Sequence, residues 1–395
     1  MGTFSELGRI AGAFLRLGVI CFGGPVAHLG YFHDEFVRRR CWLDEAVYSD
    51  LVALCQALPG PSSSQVAFGL GMRRAGVAGG LVASVCFLLP SAVLMVLFAL
   101  GVGRVGDLKS VGWLHGLKLA AVAVVAQAVW GMGKRLCPDR ARMSLCLAAA
   151  GTVLLAPSAP AQVAVLAAGA IAGWLLYRRE PAEGTSGAGL GRNHLWAAGT
   201  LIAFAVLLVG LPVAARSGGQ RAVAAFDSFF RAGSLVFGGG HVVLPLLRAE
   251  VVPAHWVSDE AFLAGYGAAQ AVPGPLFTFA AYLGTLMGAG AGAWLMGAWC
   301  LVAIFLPGWM LVGGTLPFWN LLRGRPAVRA CLLGANAAVV GILVAALYNP
   351  VWTQAVRGGR DAAAALVAFA LLSLWRTPPW LVVALAAAAG QWLLG

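Results

Sequence analysis

Apolar residues run through this chain in long blocks, and polar residues are confined to short intervals between them. The blocks fall at about 7–30, 46–72, 75–103, 111–133, 142–158, 160–177, 194–215, 222–247, 260–287, 288–317, 327–348, 361–376 and 378–394. A helix needs roughly 20 apolar residues to cross a hydrocarbon core, and many of these blocks reach that length. The pattern predicts an all-α polytopic membrane protein with about 13 hydrophobic segments, 10–14 being the range that its interrupted segments allow. Two blocks interrupt themselves with similar words, "CQALPGPSSSQ" at 55–65 and "AQAVPGPLFTF" at 269–279. Proline removes an amide donor and clashes with the preceding turn, so neither stretch continues as helix.

The chain also repeats itself. "FLRLGVICFGG" (14–24) aligns with "FFRAGSLVFGG" (229–239). Trp42, Asp44, Glu45 and Ala46 then answer Trp256, Asp259, Glu260 and Ala261, and Gln56, Pro59, Gly60 and Pro61 answer Gln270, Pro273, Gly274 and Pro275. The organisation that follows is a first repeat over 1–177, a polar linker and central helix over 178–221, and a second repeat over 222–395. The linker opens with "RREPAEGTSGAGLGRNH", whose Gly, Ser and Pro suit a flexible connection. Six segments in the first copy and one between the copies predict opposite orientations. Counting each segment as a crossing, loop Lys and Arg divide fifteen to nine in favour of a cytoplasmic N-terminus, with Arg38, Arg39 and Arg40 on the opposite side. Inverted repeats with broken helices are the mark of secondary transporters.

Broken backbone at membrane depth is tolerated where it is buried in protein or lines a cavity. There a half-helix N-terminus offers free N–H groups and partial positive charge to an anion. Each copy has two breaks: Gly23, Gly24 and Pro25 with Pro59, Gly60 and Pro61, then Gly238, Gly239 and Gly240 with Pro273, Gly274 and Pro275. Ser62 and Ser63 can cap the restarted helix or donate to an oxyanion, and Gln56 and Gln270 precede the Pro-Gly-Pro words. Arg16 and Arg231 hold equivalent places two turns before the glycines, and Lys118 is a third cation inside an apolar block. Cations at such depth are expensive and point to function. These residues form the candidate anion site. His28, Asp50, Asp227 and His241 are the candidates for proton or ion coupling.

The composition narrows the alternatives. Charged residues make up 11% of the chain and the net charge is +12; the basic residues lie in inter-segment clusters, which speaks for topology signals and against nucleic acid. The eight cysteines are scattered with no paired spacing, and no metal site, cofactor motif or catalytic set is visible. "GVGRVG" (101–106) lacks the strand–helix context of a dinucleotide loop. No ATP loop is present, so transport would draw on gradients or the membrane potential.

"CFGGPVAHLGYFHDEFVRRRCWLDE" followed by "QALPGPSSSQVAFGLG" closely resembles the chromate ion transporter superfamily, long-chain type. The resemblance implies two homologous, inversely oriented domains and export of chromate across the bacterial cytoplasmic membrane, conferring resistance, with sulfate as a structural mimic. It implies motif positions at Arg16, Gly23, Gly24, Pro25, His28, Gln56, Pro59, Gly60 and Pro61. Gly240 stands where the first copy has Pro25. The expected partners are the transported anion and the lipid bilayer, and a homodimer is compatible. A sulfate or other oxyanion permease or exchanger and a passive anion channel are the competing readings; a membrane-embedded reductase lacks a cofactor site.

Overall fold

A computed structural model describes residues 3–22, 24–104, 112–178, 194–236, 240–319 and 325–392. Among the described residues every regular element is helical. Helix α1 is Thr3–Ile20, α2 Gly24–His33, α3 Glu45–Ala57 and α4 Ser62–Val102, and the first copy closes with α5 Gly112–Leu136, α6 Arg140–Leu155 and α7 Ala159–Tyr177. After α8 (His194–Gly218), the second copy runs α9 Arg221–Leu235, α10 Val243–Val251, α11 Asp259–Ala269, α12 Phe279–Met287, α13 Ala293–Thr315, α14 Pro326–Ala346, α15 Gly359–Ser373 and α16 Pro379–Trp392. Among the described residues, six helices are long and apolar enough to cross a membrane by length and composition.

The 41-residue α4 is two arms, because Ala75 (φ −143°, ψ 35°) and Gly76 (φ +61°, ψ −158°) leave helical geometry. Gly71 and Gly80 have no side chain, so the arms fold together with Gly71 against Gly79 and Ala83 and with Phe68 of the short arm against Gly80. The long arm, residues 76–102, spans roughly 40 Å at 1.5 Å per residue. It shows an apolar stripe outward at Leu81, Val85, Leu89, Val93 and Leu97, each at least 41% exposed, as lipid requires. It therefore gives the depth scale for everything beside it.

On that scale, neither interrupted block of the first copy crosses. Helix α1 climbs alongside the long arm: Glu6 pairs with Arg74 at 3.0 Å, and Gly18 meets the backbone of Phe87 and the ring of Pro90. Helix α2 then returns. Phe32 meets Phe14 edge-on at 5.9 Å and Phe36 stacks on it at 4.8 Å, and Trp42 sits 5.3 Å from the Arg74 guanidinium, back at the starting face. Helix α3 leaves that face again, and the short arm of α4 comes back beside it, with Leu51 packed on Gly69. Segments 7–30 and 46–72 are thus re-entrant hairpins, tipped at 21–24 and 58–61 near mid-thickness. The second copy repeats this from the opposite, distal face. Arg231 meets Glu250 across the α9–α10 hairpin at 2.9 Å, and Tyr282 Oη donates to the Ala261 carbonyl across α11–α12 at 2.7 Å.

Two hairpins per copy change the number of crossings by an even amount, so the inverted orientation survives. The charge map changes, however. Arg38, Arg39 and Arg40 belong to the N-terminal face, not the opposite one, because α2 returns there; Arg248 on α10 moves to the distal face for the same reason. The two copies are also interlaced. Helix α14 of the second packs between α6 and α7 of the first, and α5 of the first packs against α15 and α16 of the second. Gly334 on Gly169 and Gly173, and Gly116 on Ala386, bring these backbones into close contact.

Candidate functional site

The two Pro-Gly-Pro turns are held reciprocally by the opposite copies. The Gly60 amide donates to the Val236 carbonyl at 2.7 Å, and the Gly274 amide donates to the Cys21 carbonyl at 2.8 Å. Each Pro-Gly-Pro turn of one copy is therefore held by the carbonyl two residues ahead of the first break glycine of the other. Gly60 has φ +122° and Gly274 φ +100°, a region that side chains rarely adopt. A Cβ at Gly60 would lie 2.8 Å from Gln65 Nε2, and one at Gly274 would lie 2.8 Å from Ser91 Oγ. Gln65 braces the first turn by donating to the Pro59 carbonyl at 2.7 Å. The reciprocal bonds use two of the amides that the sequence offered to an anion.

Beneath this junction lies a chamber of about 540 Å³. Its inner end is lined by Gly24, Pro25, Gln56, Gly60, Ser62, Gly240 and His241; Cys55, Leu29 and Leu58 form one wall. Ala128, Gly131, Met132, Arg135 and Leu136 of the last turns of α5 form another, with Asn336 of α14 beside them. Because α5 ends at the N-terminal face, the chamber faces that side. Three helical stretches begin at its inner end, at Gly24, Ser62 and Gly240, two from the first copy and one from the second. Their first turns aim N–H groups and the positive end of the helix dipole into one space.

Of the residues singled out in the sequence, Gly24, Pro25, Gln56, Gly60, Ser62, Gly240 and His241 share the chamber lining. Gly23, Gly238 and Gly239 lie outside the described residues. Pro59 and Pro61 flank Gly60 within the turn. Ser63 faces away, its hydroxyl 3.3 Å from His28 Nδ1; both are buried and tie α2 to the short arm of α4. His241 Nδ1 lies 2.7 Å from the Tyr266 hydroxyl and links α10 to α11 in the same way. Gln270, Pro273, Gly274 and Pro275 belong to the second copy's tip, beyond the lining.

The basic residues are arranged otherwise than their spacing suggests. Arg16 is exposed on the outer side of α1, beside the exposed Leu15, Val19 and Ile20. Arg231 is enclosed by two carboxylates: Nε donates to Asp227 at 3.0 and 3.1 Å, and the two terminal nitrogens donate to Glu250 at 2.9 and 3.0 Å. Its charge is more than balanced there, and neither arginine lines the chamber. Asp50 is half-buried on α3 outside the lining, and Lys118 is 3% exposed in the distal half of α5. The cation that does border the chamber is Arg135, which the sequence offers only as a loop charge. Asn336 on α14, in the chamber lining, and Gln65, a lone amide within an apolar block, complete what spacing alone left out.

Two oppositely oriented copies, with interrupted helices joined at mid-thickness and a chamber reaching them from one face, define a membrane transport protein of the inverted-repeat class. The chain belongs to the chromate transporter family, which matches residues 8–174 and 223–391. It is 30% identical over 403 residues to a chromate transport protein of Pseudomonas aeruginosa, a match covering 96% of this chain and 91% of that one. A chromate transport protein of Cupriavidus metallidurans is 29% identical over 342 residues, covering 85% and 80%. A probable chromate transport protein of Synechococcus elongatus is 27% identical over 403 residues, covering 98% and 95%. No solved structure matches the chain.

Proposed function

We propose that this protein is a secondary transporter that exports chromate across the bacterial cytoplasmic membrane, with its N-terminus in the cytoplasm. The observation that carries the reading is the chamber: helix N-termini from both copies converge at its closed inner end, and Arg135 stands at its mouth. Arg135 draws a dianion in, and the Gly24, Ser62 and Gly240 turns receive it. The reciprocal Gly60–Val236 and Gly274–Cys21 bonds seal the floor, which favours a carrier with alternating access over an open channel. Orientation is supported by charge. With the hairpins taken into account, the described loop Lys and Arg divide fourteen to six in favour of the N-terminal face, and the richer side is the cytoplasmic one.

Direction follows from cost. A dianion leaving a negative interior gains about 4.6 kcal/mol per 100 mV, worth more than about a thousandfold in concentration ratio. Export therefore needs little coupling beyond the membrane potential. Cells carrying the protein are expected to accumulate less chromate than cells without it, and collapse of the potential is expected to abolish the difference. Equal accumulation in both strains would refute export. Competition by excess sulfate in inverted vesicles tests whether one chamber serves both anions.

A further inference from the structure

Helices α5 and α14 hold equivalent places in the two copies. Gly112 abuts Gly390 and Gly116 abuts Ala386 on α16, while Ala330 abuts Gly173 and Gly334 abuts Gly169 on α7. This packing sets their register, and it pairs Asn336 with Lys118; α14 ends at Ala346, so the register does not extend to a counterpart of Arg135. In the same way Cys55 pairs with Ala269 and Gln56 with Gln270. The chamber facing the N-terminal side is lined by Cys55, Gln56, Arg135 and Asn336. Its counterpart on the distal side would be lined by Ala269, Gln270 and Lys118. In this structure that half is packed shut: Lys118 is 3% exposed and Ala269 6%, and Gly267 of α11 presses on the backbone of Leu117, next to Lys118.

We propose that Lys118 is the anion-binding residue of this second chamber, which opens to the distal face when the second copy's hairpins take the arrangement now held by the first. There it occupies the place that Asn336 holds in the open chamber. The ligand is a doubly charged oxyanion, so the assignment rests on the transport reading above. The two chambers differ in one respect that repeat symmetry alone would not give. The N-terminal one has its cation at the mouth, at Arg135, and a neutral amide inside. The distal one has its cation inside, at Lys118.

Cysteine labelling tests this without any substrate. Lys118→Cys and Asn336→Cys are each exposed to a membrane-impermeant maleimide from one face at a time, in right-side-out and inverted vesicles. The modified peptide is located by mass spectrometry, so that the native cysteines do not interfere. Asn336→Cys is expected to react from the N-terminal face only, and Lys118→Cys from the distal face only. Reaction of Lys118→Cys from the N-terminal face, or from neither face, would overturn the proposal. Should Lys118→Cys fail to insert, Ala269→Cys carries the same expectation of distal labelling, and protection from both faces overturns it. In transport, Lys118→Asn is expected to raise half-saturation for chromate on the distal side about tenfold, as for loss of one charge-assisted hydrogen bond, and to leave the N-terminal-side value unchanged. Distal labelling of a protein that moves no chromate would end the substrate reading and keep the second chamber.

Discussion

Gly60 and Gly274 show how much a single residue can decide here. Each sits in a backbone region closed to side chains, and each donates its amide to the opposite copy. Gly60→Ala and Gly274→Ala should each cost about 1–3 kcal/mol from strain alone, measured as a lowered melting temperature in detergent. Arg231 is the contrasting case. Its spacing before the glycines reads as a ligand position, yet two carboxylates hold it. Arg231→Met would leave Asp227 and Glu250 facing each other, at a cost of about 3 kcal/mol, the low end for breaking a buried ion pair. Adding Asp227→Asn and Glu250→Gln should recover most of that loss; without recovery, the cluster is not what holds the α9–α10 hairpin. Arg135→Gln should weaken chromate capture from the N-terminal face most at low ionic strength, since an exposed charge is screened by salt. An effect independent of salt would place Arg135 outside the anion's path.

At the scale of elements, the sequence shows where helices stop but not where the chain goes next. Gly-Gly-Pro, Gly-Gly-Gly and two Pro-Gly-Pro words announce four interruptions, and those that fall within the described residues are found. An apolar half-helix that turns back and one that carries on have the same composition, so the hairpins are invisible to hydropathy. They emerge from side-chain pairings such as Phe36 on Phe14 and Arg74 over Trp42, which join residues far apart in the chain. The same gap hides Arg135: only the folded α5 shows that its last turn borders the hairpin tips. On the N-terminal face, Asp139 caps α6 by accepting the Arg142 amide at 2.9 Å and also accepts the Tyr177 hydroxyl at 2.9 Å. The Arg142 amide first, then the Arg142 guanidinium and Tyr177, draw its pKa down to about 2. An Asp in the unfolded chain titrates near 3.9. Its stabilisation is therefore complete above that value and falls away as pH drops toward 2. Asp139→Asn should flatten the acid limb of the stability profile; an unchanged limb would mean the cap contributes nothing.

For the whole molecule, opposite orientation of the copies was legible from parity, and it held because the hairpins come in twos. The interlacing of α5 and α14 was not legible, since contacts between distant helices leave no mark on periodicity. That interlacing makes the copies mutually dependent. Gly334→Leu would force a side chain into the backbone of Gly169 and Gly173, with an overpacking cost of about 1–3 kcal/mol or more. It should loosen both copies together, in one melting transition.

Because α14 is clasped by α6 and α7, and α5 by α15 and α16, each half-chain lacks the neighbours that would cover its own α5 or α14. A gene cut within the 179–193 connection should thus yield two polypeptides that are degraded when made singly and restore one working unit when made together. A forebear of half this length could have met that need only by pairing with a second subunit inserted upside down, so dual insertion in the bilayer would have preceded the fusion of the two halves.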